Sequence, residues 1–315
     1  MTTPTIPYLY HPRQIHNPNS ASKSPLKPRI IHERIQSAQT EDQPHHLTHF
    51  APALIAPVQA RDLYPVHDRN YIDALFSNPP TIADGFGNKS PENMRAIRMT
   101  AGNFMLAADI AINPAYADAH PGVVLSLTSG FHHASHAHAA GFCTINALNA
   151  AAYRLHRIHQ AKTLIVDGDW HYGDGCVNIL HQALQGHYLT YLQSNGDHPL
   201  REDVTDLTAY TNDLHAAIKA FEPDVIFYQA GADAWIDDPL GGGLTMRELY
   251  ERDLITLHAA QNHDIPVVVN LAGGYADCYE NTIRIHMNTI EAMKAVFLDV
   301  DAHPDFTVTV KSGII

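Results

Sequence analysis

From about Arg95 onward, the chain alternates between short apolar runs and longer stretches in which apolar residues return with helical spacing. The runs are Val123–Thr128, Thr163–Val166, Tyr188–Leu192, Val225–Tyr228 and Pro266–Leu271. They are too short for helices, lack polar alternation and are rich in β-branched residues, which is the pattern of strands buried on both faces. Helical spacing is carried by Gly141–His159, Val177–Leu184, Leu207–Phe221, Met246–Asn262 and Tyr279–Phe297. Strands and helices alternating at this length predict parallel pairing with helices on both sides: an α/β, doubly wound, three-layer α/β/α fold with a mainly parallel central sheet.

The first 50 residues differ in character. They hold seven of the 20 prolines, with scattered His and Ser, and read as an irregular arm packed on the body. With 315 residues and 45% apolar composition the chain can bury a sizeable core. Its motifs span most of that length, which predicts a single domain over 1–315. There is no internal repeat, and no low-complexity segment beyond the Ala/His-rich Ala134–Ala140.

The formal net charge is −13, and no Lys/Arg cluster stands out, which argues against a nucleic-acid partner. An acidic surface suits cationic substrates such as polyamines or lysine-bearing peptides. Cys143, Cys176 and Cys278 lie far apart without a C-x-x-C pair, so neither a disulfide framework nor a cysteine-ligated zinc site is expected. No basic leader and no apolar run of about 18 residues is present. The expectation is a cytoplasmic protein in a reducing compartment, with no membrane partner.

Open parallel sheets carry their functional residues just past the C-terminal ends of the strands, and the polar clusters of this chain fall at those points. Ser129-Gly130-Phe131-His132-His133 follows the first run, and Asp167-Gly168-Asp169-Trp170-His171-Tyr172-Gly173-Asp174-Gly175 the second. Gly231-Ala232-Asp233, then Asp237-Asp238-Pro239-Leu240-Gly241, follow the fourth, and Gly273-Gly274-Tyr275 the last. Each motif alone has an ordinary reading: a turn or helix cap, a surface histidine pair, a tight turn with a packed aromatic. Together they point to a bound divalent cation, which removes the several kcal/mol that each unpaired buried carboxylate would cost. In an extended segment, Asp167, Asp169 and His171 share one face. Two carboxylates and an imidazole balance a divalent charge and leave a position open for water, as catalytic rather than structural zinc sites do.

At this point the chain resembles the histone deacetylase and acetylpolyamine amidohydrolase family of the arginase–deacetylase fold group. The resemblance rests on Gly130-Phe131-His132-His133-Ala134, on Gly141-Phe142-Cys143 with Asn146, and on the Asp167–Gly175 motif. Ala230–Ala234 with Asp238–Gly242 and Gly273–Tyr275 extend it, and weaker matches lie at Val66-His67, Tyr71-Ile72 and Pro28-Arg29; in all it covers roughly residues 8–297. It implies Asp169, His171 and Asp233 as metal ligands, with zinc the default ion and Fe2+ or Co2+ compatible with the same donors. It also implies His132 paired with Asp167, His133 paired with Asp174, Tyr275 as oxyanion donor, and the Gly141 carbonyl and Phe142 ring as channel elements. An amide carbonyl is unreactive, so the ion must polarise it and acidify water while a histidine takes the proton. His133 is assigned that role, then proton return to the leaving amine. His132 tunes charge, and Tyr275 stabilises the tetrahedral oxyanion. The expected substrate is a small acylated amine or an acyl-lysine peptide.

The chain departs from the family pattern in three places. Thr128-Ser129-Gly130-Phe131 replaces the usual Arg-Pro-Pro-Gly, as in bacterial and smaller members. The loop after Tyr191-Leu192-Gln193-Ser194 is short, so a channel wall must come from the N-terminal arm or a second subunit, or the pocket is wider. A monomer and a homo-oligomer both remain compatible with this. The resemblance also implies potassium near Asp167, Asp169 and His171, with Ser194 close to that site. Finally, Leu240 stands where one branch has a glutamate that selects polyamines. Asp84, within Ala83-Asp84-Gly85-Phe86-Gly87, is a candidate substrate-binding residue at the channel rim or a turn aspartate. Two competing readings are an arginase-like binuclear manganese hydrolase and a non-catalytic, metal-containing protein that binds acylated amines.

Overall fold

The structure, a computed structural model, describes residues 4–15, 24–38, 46–50, 52–184, 187–193 and 207–310. Seven strands form one sheet: β1 (Ile6–Leu9), β2 (Leu47–His49), β3 (Val123–Ser126), β4 (Thr163–Asp167), β5 (Leu189–Gln193), β6 (Val225–Gln229) and β7 (Val267–Asn270). Their order is β2-β1-β3-β7-β6-β4-β5, and every ladder is parallel. All five predicted runs lie in this sheet, with ends shifted by one or two residues.

The helices are α1 (Lys27–Ala38), α2 (Ala60–Leu63), α3 (Arg69–Phe76), α4 (Pro91–Ile112), α5 (Ala147–His159), α6 (Asp174–Gln182), α7 (Leu207–Phe221), α8 (Met246–Asn262) and α9 (Tyr279–Leu298). Two carry the predicted bounds, α7 and α8, whereas α5 starts six residues later than the predicted Gly141. The reason is local: Asn146 caps α5 by accepting from the Asn149 N–H at 3.1 Å, and Gly141 and Phe142 are left-handed. Helix α6 begins at Asp174 rather than Val177, with the acidic residue in its first turn, where the helix dipole favours it.

The described segments of the first 50 residues are more regular than the irregular arm expected. Strands β1 and β2 extend the sheet beyond β3, and α1 packs against α9. The sequence hides this because β1 carries Pro7, a residue that demotes a strand, and β2 has three residues. Gln14 pins the arm: its Nε2 donates to the Leu127 carbonyl, and its Oε1 accepts from Asn103 at 2.9 Å.

Alternate strand residues supply two cores. Val124, Ile165, Phe227 and Val268 pack with α4 and α5 on one side. Leu125, Leu164, Val166, Ile226, Tyr228 and Val269 pack with α1, α7, α8 and α9 on the other. Burying each such side chain contributes about 1.5–3 kcal/mol, which holds the strand tips in register beneath the loops. No helix among the described residues is long and apolar enough to cross a membrane.

Candidate active site

Four strands adjacent in the sheet, β3, β7, β6 and β4, each lead at their C-terminal ends into one of the polar motifs. Tertiary structure thereby gathers residues more than 100 positions apart. Asp169 and His171 past β4 and Asp233 past β6 bring ligand atoms within 4.8 Å of one another, the one such metal-competent group among the described residues. The Asp169 and Asp233 carboxylates are buried. Burial and the neighbouring Asp169 push Asp233 up to about 7. Asp169, although burial opposes it, is held well below the carboxylate range by His132 and His171. With only protons for balance, ionising the second carboxylate of the pair is opposed; a divalent cation would relieve that opposition, and the donor set O, N, O fits one.

Around this cluster the backbone orients each donor. The His171 N–H donates to Asp169 Oδ1 at 3.1 Å, the Trp170 N–H to Asp233 Oδ1 at 3.0 Å, and the Gly273 N–H to Asp169 Oδ2 at 2.8 Å. A β-carbon at Gly273 would lie 2.2 Å from Asp233 Oδ2 and 2.6 Å from Asp169 Oδ2, so only glycine lets the β7 loop approach.

The tandem histidines stand beside it, ring centroids 4.0 Å apart. His132 Nδ1 lies 2.9 Å from Asp167 Oδ2, and both side chains are buried. Burial pulls His132 down, but Asp167, Asp169 and Asp233 outweigh it and raise the imidazole to about 9. His133 Nδ1 lies 2.7 Å from Asp174 Oδ1, a pair whose carboxylate is largely exposed. Asp167 and Asp174 are thus turned to histidines.

A cavity of about 60 Å³ reaches this cluster, lined by His132, Asp169, Gly273 and Tyr275, by Phe86 and Phe142, and by Ser24, Pro25 and Pro28 of the N-terminal segment. Gly141 and Phe142, both at positive φ, form the centre of a hairpin turn closed by the Ala140–Cys143 bridge. The strained Phe142 stacks on Phe86 with centroids 5.6 Å apart and lies 5.8 Å from the Tyr275 ring. Burial, with Asp169 and Asp233 nearby, lifts the Tyr275 phenol well above its ordinary value, so it remains a donor.

Several residues go beyond the sequence reading. Lys27, rather than the neighbouring exposed Arg29, is buried against the site; its Nζ donates to the Ala272 and Gly273 carbonyls, and burial lowers it to about 8. Its signal was its place beside the Pro28-Arg29 match. Asp238 accepts from the Tyr275 N–H at 2.7 Å and the Leu240 N–H at 3.0 Å, which ties the catalytic-tyrosine candidate to the β6 loop. The Leu240 side chain is 47% exposed, while its carbonyl faces His171 Nε2 at 3.0 Å. His67 and Tyr71 brace the histidine loop from behind through Ser135, Asn146 and Thr144. Asp84 is a buried turn residue whose Oδ1 accepts from the Phe86 and Asn88 N–H groups; it is not part of the cavity lining. Ser194 and the shortened loop to residue 206 lie outside the described residues. The described cysteines Cys143, Cys176 and Cys278 are all free.

A family model described as the histone deacetylase domain matches residues 22–206 and 193–293. An uncharacterised protein of Picosynechococcus sp. is 26% identical over 250 residues, spanning 74% of this chain and 81% of that protein. Acetoin utilization protein AcuC of Staphylococcus aureus is 25% identical over 253 residues, 68% of this chain and 63% of AcuC. Histone deacetylase 2 of Arabidopsis thaliana is 25% identical over 279 residues, 76% of this chain and 67% of that enzyme's length. With a parallel α/β sheet of the arginase–deacetylase type and a family match over most of its length, this chain belongs to the histone deacetylase family, a family of deacetylase hydrolases.

Proposed function

We propose that this chain is a zinc-dependent amidohydrolase that removes acetyl or other acyl groups from amines such as acetyl-lysine or acetylpolyamines, and that it works in the cytoplasm. The observation that carries the reading is the Asp169–His171–Asp233 group, whose Asp169 lines the same cavity as Tyr275 and His132, with the His133 ring 4.0 Å from that of His132. Zinc, Fe2+ and Co2+ all suit this donor set. When bound, the ion polarises the scissile carbonyl and acidifies a water.

The chain's own residues do the rest. Asp174 engages His133 Nδ1, which leaves Nε2 to take a proton from water and return it to the departing amine. His132, backed by Asp167, balances charge at the cavity floor. The protonated Tyr275 hydroxyl donates to the developing oxyanion; one such donor contributes about 3–4 kcal/mol. Phe86 and Phe142 offer flat apolar walls to a methylene chain, and the net charge of −13 favours a cationic amine. An arginase-like binuclear site is disfavoured because the additional carboxylates it would use, Asp167 and Asp174, are hydrogen-bonded to His132 and His133.

The test is hydrolysis of acetyl-lysine peptides, N-acetylated polyamines and small aryl amides, with and without a chelator and re-added Zn2+. Chelator-sensitive acetate release is expected, and the preferred amine identifies the substrate. Absence of turnover across the panel by a metal-loaded protein would favour the non-catalytic binding alternative.

A further inference from the structure

Behind the metal-ligand candidates, the backbone carbonyls of Asp169 and His171 converge on one atom, Gln193 Nε2, at 2.8 and 3.4 Å. Gln193 ends β5, opposite Asp167 in the β4–β5 ladder, and is 5% exposed. Its orientation follows from its partners, because carbonyl oxygens only accept and must face the amide NH2. On its other side, the single phenolic proton of Tyr191 lies between two acceptors, Gln193 Oε1 and Asp167 Oδ2, each 2.7 Å from the hydroxyl. The Gly173 N–H donates to the same hydroxyl at 3.0 Å. Asp167 Oδ2 also accepts from Gln229 Nε2 at 2.8 Å and pairs with His132 Nδ1 at 2.9 Å.

Family resemblance implies potassium at Asp167, Asp169 and His171, but the described residues there do not fit it. A cation drawing on the Asp169 and His171 carbonyls would need the point that the Gln193 amide holds. The charge of Asp167 is already met by His132, Gln229 and Tyr191. We infer that Gln193, supported by Tyr191, stands in place of the monovalent cation as a positioning residue for the Asp169–His171 segment, so that the metal centre is indifferent to potassium. The consequence for zinc rests on the reading of Asp169 and His171 as ligands; the replacement itself does not.

The experiment compares full-length protein in KCl, NaCl and N-methylglucamine chloride at equal ionic strength, reading bound zinc and Tm. Wild type should give the same values in all three. Gln193→Glu keeps the side chain's size but removes its donor and adds charge beside Asp167. It should acquire a saturable, potassium-specific rise in Tm of about 2 °C or more. Gln193→Ala, read the same way, serves if the glutamate variant does not fold. A potassium-specific rise in wild type, or variants as indifferent to potassium as wild type, would overturn the inference. Neither readout is catalytic, so a folded but inactive protein would count against the proposed function and leave this result standing.

Discussion

His171 presents its two ring nitrogens to different partners: Nε2 faces the Leu240 carbonyl at 3.0 Å, and Nδ1 faces Asp169 and Asp233 at 3.3 and 3.1 Å. The carbonyl holds a proton on Nε2 and leaves Nδ1 as the ligand atom. Without an ion, hydrogen bonds to Asp169 and Asp233 raise this imidazole to about 11, and Nδ1 is protonated as well. Zinc uptake near neutral pH should therefore release protons, and affinity should weaken as pH falls through the value of about 7 held by Asp233. Calorimetric titration in buffers of different ionisation enthalpy measures this. Heats that do not vary with the buffer would contradict it.

Gly273→Ala should weaken zinc binding without disturbing the sheet. The added carbon meets Asp233 Oδ2 at 2.2 Å and Asp169 Oδ2 at 2.6 Å, so the loop or the ligands must move. A loss of about 10–100-fold in affinity is expected, the range for disturbing the support of metal ligands. Competition with a chromogenic chelator reads it, and wild-type affinity would show that the loop is not part of the site.

Tyr275→Phe should lower turnover by about 10²–10³-fold. The ring still packs near Phe142, and the Tyr275 backbone still donates to Asp238, so zinc content and Tm should be unchanged. Unimpaired turnover would remove Tyr275 from the mechanism.

His67 should make stability pH-dependent. Its Nδ1 faces the Ser135 carbonyl at 2.9 Å and its Nε2 accepts from the Asn146 N–H at 3.0 Å, so the buried ring is satisfied only when neutral. Burial lowers it from 6.5 to about 4. Because the folded value lies below the unfolded one, its contribution is fully present above 6.5 and is lost as pH falls toward 4. The stability gap between wild type and His67→Asn should shrink by about 1.4 kcal/mol per pH unit in that window. Denaturant titrations across pH measure the gap, and a constant gap would exclude the linkage.

Much of the fold was legible because fully buried parallel strands leave uninterrupted apolar runs, and all five predicted runs entered the sheet. The boundaries of α7 and α8 followed from periodicity alone. Strands β1 and β2 did not, since Pro7 and a three-residue length erase the local signal. Their place in the sheet depends on partners: Ile6 pairs with Leu47 across 41 residues, and Tyr8 with Leu125 across 117.

The chemistry on offer could be read from the residues in order: which carboxylates, imidazoles and phenol stand at the strand ends, and which family they resemble. How those groups divide the work came from the packing of the chain. It turned Asp167 and Asp174 toward histidines and Asp169 and Asp233 toward each other, buried Lys27 in preference to Arg29, and set the Gln193 amide against the Asp169 and His171 carbonyls. The physical reason is that spacing along a strand limits which face a side chain shares. Hydrogen-bond direction and desolvation depend on neighbours brought in from other strands.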